Sequence, residues 1–243
     1  MSEGDIVGDI FGWIGSAIST FFFIAPVVPF IKLIKKEITV KESPGILLLC
    51  TLLNCILWGD YGLLYNRFLQ YGPNALGALI TLVWTTIFLI YLADRKVGFV
   101  ILYLLLMIIA VAGLTIVFYL FVPVEITGKI VVVFNVLMYA SPGEKMVTVC
   151  KTGNYQLIPI WSTLGGLACS ACWFIYGIYL LDWNVMIPNA LGVLCSIIQI
   201  IVFLIFKGKS KNVEKEMEDE TEGDHRITDE KATEGDEIGR AHV

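Results

Sequence analysis

The sequence predicts an all-α integral membrane protein with seven transmembrane helices, arranged as two parallel three-helix bundles joined by a linker helix (3+1+3). Three observations predict this class. Of the 243 residues, 57% are hydrophobic and 16% are charged, which is more apolar surface than a soluble domain of this size could bury. Seven apolar runs are long enough to cross a bilayer, and the first three match the last three in sequence.

A hydrocarbon core about 30 Å thick requires about 20 apolar residues in a helix. The runs that satisfy this requirement lie near 8–31, 44–64, 68–92, 97–120, 127–148, 158–180 and 184–206. The connections are too short for a soluble domain. We therefore divide the chain into a first three-helix repeat (1–93), linker helix 4 (94–124), a second three-helix repeat (125–207) and an acidic cytosolic tail (208–243) whose composition predicts disorder.

An offset of 115 residues aligns the two repeats. Pro-Asn-Ala-Leu-Gly occurs at 73–77 and again at 188–192. The same offset pairs Pro44 with Pro159, Trp58 with Trp173, and Tyr61-Gly62 with Tyr176-Gly177. One unmatched helix separates the triplets, so both triplets cross the bilayer in the same direction. Parallel repeats of this kind predict a pseudo-twofold axis along the membrane normal and a cavity between the halves.

Lysine and arginine are distributed unevenly across the connections. Eleven fall on one side of the predicted spans, against Arg67 and Lys129 on the other. The asymmetry predicts an outside N-terminus and a cytosolic C-terminus, in the plasma membrane or alternatively in an internal membrane. The net charge of −5 arises in the tail, since 12 of the 22 acidic residues follow Lys211. The sequence has no basic patch of the kind that binds nucleic acid, and we expect the helices to be surrounded by the lipid bilayer.

Asn74 and Asn189, at the same depth in the two repeats, are the leading candidates for binding. A primary amide has two donors and an acceptor, which suit a neutral polyhydroxylated ligand. The alternative is a hydrogen bond between helices, but the symmetric placement of each amide after a proline favours a pocket.

Trp58 and Trp173 form a second pair, each 16 residues before its asparagine. An indole can stack on the apolar face of a sugar ring while amides bind the hydroxyls; the alternative is an interfacial tryptophan. Asn54 and Cys169 lie four residues before the tryptophans, on the same helical faces.

Prolines and carboxylates suggest how such a pocket would work. Proline weakens a helix locally, so four prolines at matched positions predict hinges for alternating access: Pro26, Pro44, Pro142 and Pro159. Asp60, Asp182 and Glu144 lie near span ends and not centrally, which favours passive over proton-coupled transport.

Catalysis is not indicated. The sequence has no nucleophile–base pair, metal cluster or phosphate loop, so we expect no enzyme activity, no metal and no cofactor. Cys169 and Cys172 form a C-x-x-C motif, which could indicate redox or metal chemistry. Both histidines lie in the tail, so no histidine is close enough in sequence to complete such a site. We therefore favour the interpretation that the two cysteines are small residues that let helices pack closely.

Two other classes compete with a sugar carrier. A seven-span signalling receptor would share the outside N-terminus, but it has no reason for a three-plus-three repeat. A small carrier for another solute, such as an amino acid, would need charged groups in its pocket, and the candidate pocket residues are neutral.

The motifs together resemble the SWEET family of sugar transporters over residues 8–206. The resemblance rests on both Pro-Asn-Ala-Leu-Gly copies, Ala-Pro at 25–26, Thr-Leu-Leu-Asn-Cys at 51–55, Met-Tyr-Ala-Ser-Pro at 138–142 and Trp-Phe-Ile-Tyr-Gly at 173–177. It implies a seven-helix uniporter that moves mono- or disaccharides, with a hexose such as glucose as the leading candidate.

The resemblance also implies roles for individual residues. Asn74, Asn189, Trp58 and Trp173, with Asn54 and Cys169, match the family's sugar pocket, and Tyr61 and Asp182 match its extracellular gate. The four prolines match its cytosolic hinges, and Gln199 matches its glutamine on the last helix, near the inner hinge. Counting one and two turns from Pro26 and Pro142 adds Phe22, Ser19, Met138 and Asn135; Met138 is bulky and favours a monosaccharide.

Asp60 departs from the family pattern, because Ile175 matches it in the other repeat. It could pair with Arg67 or act as a second gate acid. Self-association into a homo-oligomer is compatible with the small area that each three-helix unit buries.

Overall fold

The computed structural model describes residues 3–40, 45–92 and 97–209. Pro44 and the tail from 210 to 243 lie outside the described residues. Within those ranges every regular element is helical, which confirms the all-α prediction. In chain order the helices are α1 (Glu3–Ile24), α2 (Val27–Ile34), α3 (Gly45–Leu64), α4 (Phe68–Leu92), α5 (Val97–Phe121), α6 (Val124–Met138), α7 (Ala140–Thr152), α8 (Ile160–Tyr179) and α9 (Trp183–Lys209), with a 3₁₀ turn at Tyr155–Leu157 before α8.

Six helical stretches of the described chain are long and apolar enough to cross a membrane. They are α1 with α2, α3, α4, α5, α6 with α7, and α9, and they match six of the seven predicted spans. The seventh, α8, has 20 residues and is less uniformly apolar because it contains Ser162, Thr163 and Ser170. The protein is therefore a multi-pass membrane protein.

The first and fifth predicted spans are broken at matching places. Helix α1 ends at Ile24 and α2 follows Pro26, while α6 ends at Met138 and α7 begins two residues before Pro142. Proline has no amide hydrogen, so Pro26 removes the donor that the Phe22 carbonyl would use, and Pro142 does the same for Met138. The missing hydrogen bonds account for the breaks.

The helices pack as two groups around a common centre. Helix α4 packs on both α1 and α3, and the two halves meet where α1 packs on α8 and α3 packs on α6. Helix α5 contacts α3 and α4. It is apolar throughout, and most of its large side chains are exposed, as expected of a helix that faces lipid.

Close contacts between the halves follow the repeat. A Cβ on Gly12 of α1 would lie 3.0 Å from the ring of Tyr176 in α8, and a Cβ on Gly128 of α6 would lie 2.9 Å from the ring of Tyr61 in α3. The two tyrosines are 115 residues apart and the two glycines 116. Small residues let membrane helices approach closely, so both interfaces use the same glycine–tyrosine contact.

Candidate functional site

A cavity of 230 Å³ lies between the two repeats. Its wall comes from α1, α3, α4, α6, α8 and α9, with Tyr139 from the α6–α7 break, and none of the lining residues belongs to α5. The volume is below the ~300–1,000 Å³ typical of pockets for drug-sized ligands, and it suits a smaller molecule. Eight of the nine predicted binding residues line it: Ser19, Asn54, Trp58, Asn74, Asn135, Cys169, Trp173 and Asn189.

The two asparagines have the same geometry. Nδ2 of Asn74 donates to the Gln70 carbonyl at 2.7 Å, and Nδ2 of Asn189 donates to the Val185 carbonyl at 2.7 Å. Each bond runs back one helical turn and holds the amide plane. In both amides one N–H of Nδ2 is therefore used within the helix, and the two side chains line the cavity from the two repeats.

The helical faces beside the asparagines differ between the repeats. Ser19 Oγ lies 3.3 Å from Cys169 Sγ and accepts a hydrogen bond from Trp173 Nε1 at 3.1 Å. The indole N–H of Trp173 is thus already bound, and its ring face remains for contact. In the matching position of the first repeat, Asn54 Oδ1 is buried without a hydrogen-bond partner among the described residues. The cavity is accordingly asymmetric between symmetric asparagines.

Tyr139, and not the predicted Met138, lines the cavity together with Phe22 and Phe23. Helix α6 ends at Met138, and the Tyr139 hydroxyl donates to the Pro188 carbonyl at 2.8 Å, which fixes the ring against α9. Because of the helix break, Tyr139 takes the place in the cavity wall that was predicted for Met138. Met138 does not line the cavity, so its side chain gives no reason to expect a narrower pocket.

A hydrogen-bonded group, here named the aspartate cluster, joins the repeats beyond the tryptophans; it consists of Tyr61, Arg67, Asp182 and Asn184. The Tyr61 hydroxyl donates to the Asp182 carboxylate, with its oxygen 3.1 and 2.9 Å from the two carboxylate oxygens, and Arg67 forms an ion pair with the same carboxylate. Asn184 donates from its backbone N–H to Asp182 at 2.9 Å and from its side chain to the Tyr61 hydroxyl at 3.0 Å. Tyr61 is 0% exposed, so the ring that carries this hydroxyl is fully enclosed by its neighbours.

Asp60 lies outside both the cavity and the aspartate cluster. Its predicted partner Arg67 pairs with Asp182 instead. Asp60 is 7% exposed, lies near Thr115 of α5, and has a buried Oδ2 without a partner among the described residues. It therefore faces the linker helix.

The opposite end of the bundle, here named the proline end, contains Pro26, Pro142 and Pro159. None of the three lines the cavity. Pro159 is the residue before α8, and its carbonyl accepts a hydrogen bond from Thr163 Oγ1 at 3.2 Å. Gln199 lies against this turn, with Oε1 3.5 Å from the same hydroxyl. Gln199 is thus beside the predicted hinge of the second repeat.

Sequence reasoning missed several lining residues: Phe23, Gln70, Pro73, Tyr139, Ser170 and Val185. Two of them had a usable signal, because Gln70 and Val185 lie one helical turn before the two asparagines. The others depend on where helices break and how they rotate, which spacing does not reveal.

Comparison with known proteins gives consistent results. The family model described as "Sugar efflux transporter for intercellular exchange" matches the chain twice, over residues 9–96 and 125–211. The chain is 32% identical over 206 residues to the bidirectional sugar transporter SWEET1a of Sorghum bicolor, covering 81% of this chain and 76% of the relative. It is 33% identical over 224 residues to the bidirectional sugar transporter SWEET1 of Arabidopsis thaliana, covering 87% and 90%.

A solved structure of a eukaryotic SWEET transporter has the same fold. The TM-score is 0.75 at 24% sequence identity, and the match covers 85% of this chain and 100% of that one.

Proposed function

The chain belongs to the SWEET family of sugar transporters, and on that premise we propose that it is a passive, bidirectional uniporter for a small sugar, with a hexose such as glucose as the leading candidate. It is a transporter and not an enzyme. The single observation that carries the proposal is the cavity between the repeats, in which paired amides and two indoles meet.

The chemistry of the cavity favours a neutral polyhydroxylated ligand. Asn74 and Asn189 present acceptors for hydroxyl groups, and Trp58 and Trp173 present flat apolar surfaces for a sugar ring. The residues that line the cavity are uncharged in the described structure, which disfavours an amino acid or another ion as the substrate.

The same lining favours uncoupled transport. Proton-coupled carriers usually place an ionisable group deep in the membrane, close to the substrate path. The buried carboxylates here lie elsewhere, since Asp182 is in the aspartate cluster and Asp60 faces α5. Substrate would therefore move down its own gradient.

Alternating access is proposed between the two ends of the bundle. The aspartate cluster would be the extracellular gate, closed in this conformation, and the proline end would be the cytosolic side that bends at Pro26, Pro142 and Pro159. The distribution of charge supports this orientation, because Lys32, Lys151 and Lys207 lie at the proline end. It gives an outside N-terminus and a cytosolic C-terminus, with the plasma membrane as the proposed location.

The proposed division of the chain follows from the repeat: 1–93 and 125–207 as three-helix repeats, 94–124 as the linker, and 208–243 as a tail. The two matches of the family model, over 9–96 and 125–211, support it.

Uptake of radiolabelled glucose by transporter-deficient cells tests the proposal directly. We expect saturable uptake that a protonophore does not reduce, and loss of most uptake in Asn74→Ala and Asn189→Ala. Leu79→Ala is the matched control, because Leu79 of α4 is 63% exposed on the lipid-facing side. Uptake by both asparagine variants at the parent rate would refute the site. Ligand-dependent G-protein activation without sugar flux would instead favour a receptor.

A further inference from the structure

Gln70 has a buried side-chain amide that forms no hydrogen bond with any described residue of the protein. Its side chain is 2% exposed, and both Nε2 and Oε1 lack hydrogen-bond partners. Buried polar groups are normally hydrogen-bonded, and each exception requires an explanation. Gln70 lines the cavity between the repeats, and its two polar atoms are buried in this conformation, so a turn of the side chain toward the cavity brings them to a ligand there.

The position has a structural equivalent in the other repeat. Gln70 and Val185 are 115 residues apart, and each carbonyl accepts the amide hydrogen bond of the asparagine one turn further on. Each also packs on a glycine of the preceding helix: a Cβ on Gly62 would lie 3.0 Å from Gln70 Cβ, and a Cβ on Gly177 would lie 3.2 Å from Val185 Cγ1. The two positions have the same backbone hydrogen bond and the same glycine contact, but only the first repeat has an amide side chain there.

We propose that Gln70 is a specificity-determining residue that binds two adjacent hydroxyl groups of the transported sugar. The inference rests on the function proposed above and assigns an orientation to the substrate. Nε2 donates to one hydroxyl oxygen and Oε1 accepts from the neighbouring hydroxyl, which matches the alternation of donor and acceptor on a vicinal diol. Asn54 Oδ1, also buried without a partner among the described residues, supplies a further acceptor from α3.

The second repeat offers the opposite chemistry at the position equivalent to Gln70. Val185 is apolar at the equivalent position, and the Trp173 indole N–H is already bound to Ser19. Val185 and the Trp173 ring therefore present apolar surface to the substrate, while Asn135, Ser170 and Asn189 are polar groups of the same repeat in the lining. A sugar would place its vicinal diol against Gln70 and Asn54 and an apolar face against Val185 and the Trp173 ring.

A structural role for Gln70 makes a different prediction. A buried amide without partners destabilises the folded protein, and an apolar side chain of the same shape is neutral or stabilising in its place. Gln70→Met retains the length of the side chain without its hydrogen bonds, and Gln70→Val copies the other repeat. Both variants should fold at least as well as the parent, whichever role is correct.

The test measures competition by single-deoxy analogues. Uptake of the radiolabelled hexose that the parent carries is measured against each unlabelled monodeoxy analogue, for the parent, Gln70→Met, Gln70→Val and the apolar control Val185→Met. For the Gln70 variants we expect KM to rise about tenfold, since a hydrogen bond to the sugar is lost. Two analogues deoxygenated at neighbouring carbons should compete poorly in the parent and about as well as the hexose itself in these variants. Val185→Met should keep the parent's ranking of analogues.

Thermal unfolding in detergent supplies the second readout. The Gln70 variants should unfold at the parent temperature or above it without sugar, and should gain less from added sugar. An unchanged KM with an unchanged ranking of analogues would overturn the assignment of Gln70, while loss of uptake in Asn74→Ala would leave the proposed function standing. A parent that carries no sugar would overturn both.

Discussion

Arg67 and Asp182 occupy equivalent positions in the two repeats, 115 residues apart, and they form an ion pair with each other. Equivalent residues of parallel repeats can meet only on the pseudo-twofold axis. Identical charges there would repel, so the pair requires that the repeats have diverged. The aspartate cluster is thus asymmetric for a physical reason: one acid between Arg67 and Tyr61 binds both halves.

The first prediction concerns this pair. Arg67→Asp places two carboxylates on the axis, and we expect it to abolish uptake because the repeats cannot close at this end. Exchanging the charges, with Arg67→Asp and Asp182→Arg together, should restore part of the uptake, since the positions are equivalent. Restoration will be incomplete, because the backbone N–H of Asn184 loses its acceptor.

Hexose uptake and surface expression of both variants and the parent measure the effect. If the double exchange is as inactive as Arg67→Asp while both reach the surface, the ion pair does not act as a gate.

The second prediction concerns the glycine–tyrosine contacts. In Gly128→Ala the new Cβ would lie 2.5 Å from Asn184 Nδ2 and 2.9 Å from the Tyr61 ring, so α3 and α6 must separate. We expect a lower unfolding temperature and severalfold slower uptake, since overpacking typically costs ~1–3 kcal/mol. Gly113→Ala is the control, because a Cβ on Gly113 of α5 meets nothing within 4 Å. Equal effects of the two substitutions on uptake and unfolding would contradict close packing at Gly128.

The sequence predicted much of this fold because the repeat is still readable. Apolar runs revealed the spans, and the duplicated Pro-Asn-Ala-Leu-Gly implied a shared centre, where Asn74 and Asn189 both line the cavity. Pro26 and Pro142 marked the two helix breaks, since a missing N–H has the same consequence in any helix.

Other features could not be predicted in this way. The choice of Tyr139 over Met138 depends on how the chain turns at the α6–α7 break. The pairing of Arg67 with Asp182, in place of Asp60, depends on which helical face meets the other repeat. Gln70 was missed because amides at helix ends are common, and only its burial without partners distinguishes it.

The third prediction concerns Asp60 and Asp182, two aspartates that are both 7% exposed. The Asp60 carboxylate has one buried oxygen without a partner among the described residues, whereas the Asp182 carboxylate is bound by Tyr61, Arg67 and Asn184. Asp60→Asn removes an uncompensated charge and keeps the size of the side chain, so we expect the free energy of unfolding to rise by about 1–3 kcal/mol. Asp182→Asn should lower it, because Arg67 then loses its counter-ion.

Thermal unfolding of the two variants in detergent shows whether each substitution raises or lowers the stability of the parent. Asp60→Asn should also transport at the parent rate, since Asp60 does not line the cavity. Loss of transport in well-folded Asp60→Asn would contradict the passive mechanism, because it would indicate that the carboxylate takes part in the transport cycle.

The last prediction concerns Ser19, which connects α1 to α8 inside the cavity. Its hydroxyl accepts from the Trp173 indole and lies beside Cys169, so Ser19→Ala frees the indole N–H and removes a contact between the repeats. We expect KM to rise about fivefold, since loss of a neutral hydrogen bond costs ~0.5–1.5 kcal/mol and the Trp173 ring loses its fixed orientation. Thr20→Ala is the matched control, because the Thr20 hydroxyl donates to the Ser16 carbonyl within its own helix. The measurement is the KM of hexose uptake for Ser19→Ala and Thr20→Ala. If the two variants have the same KM, the Ser19 hydroxyl does not orient the Trp173 ring for the substrate.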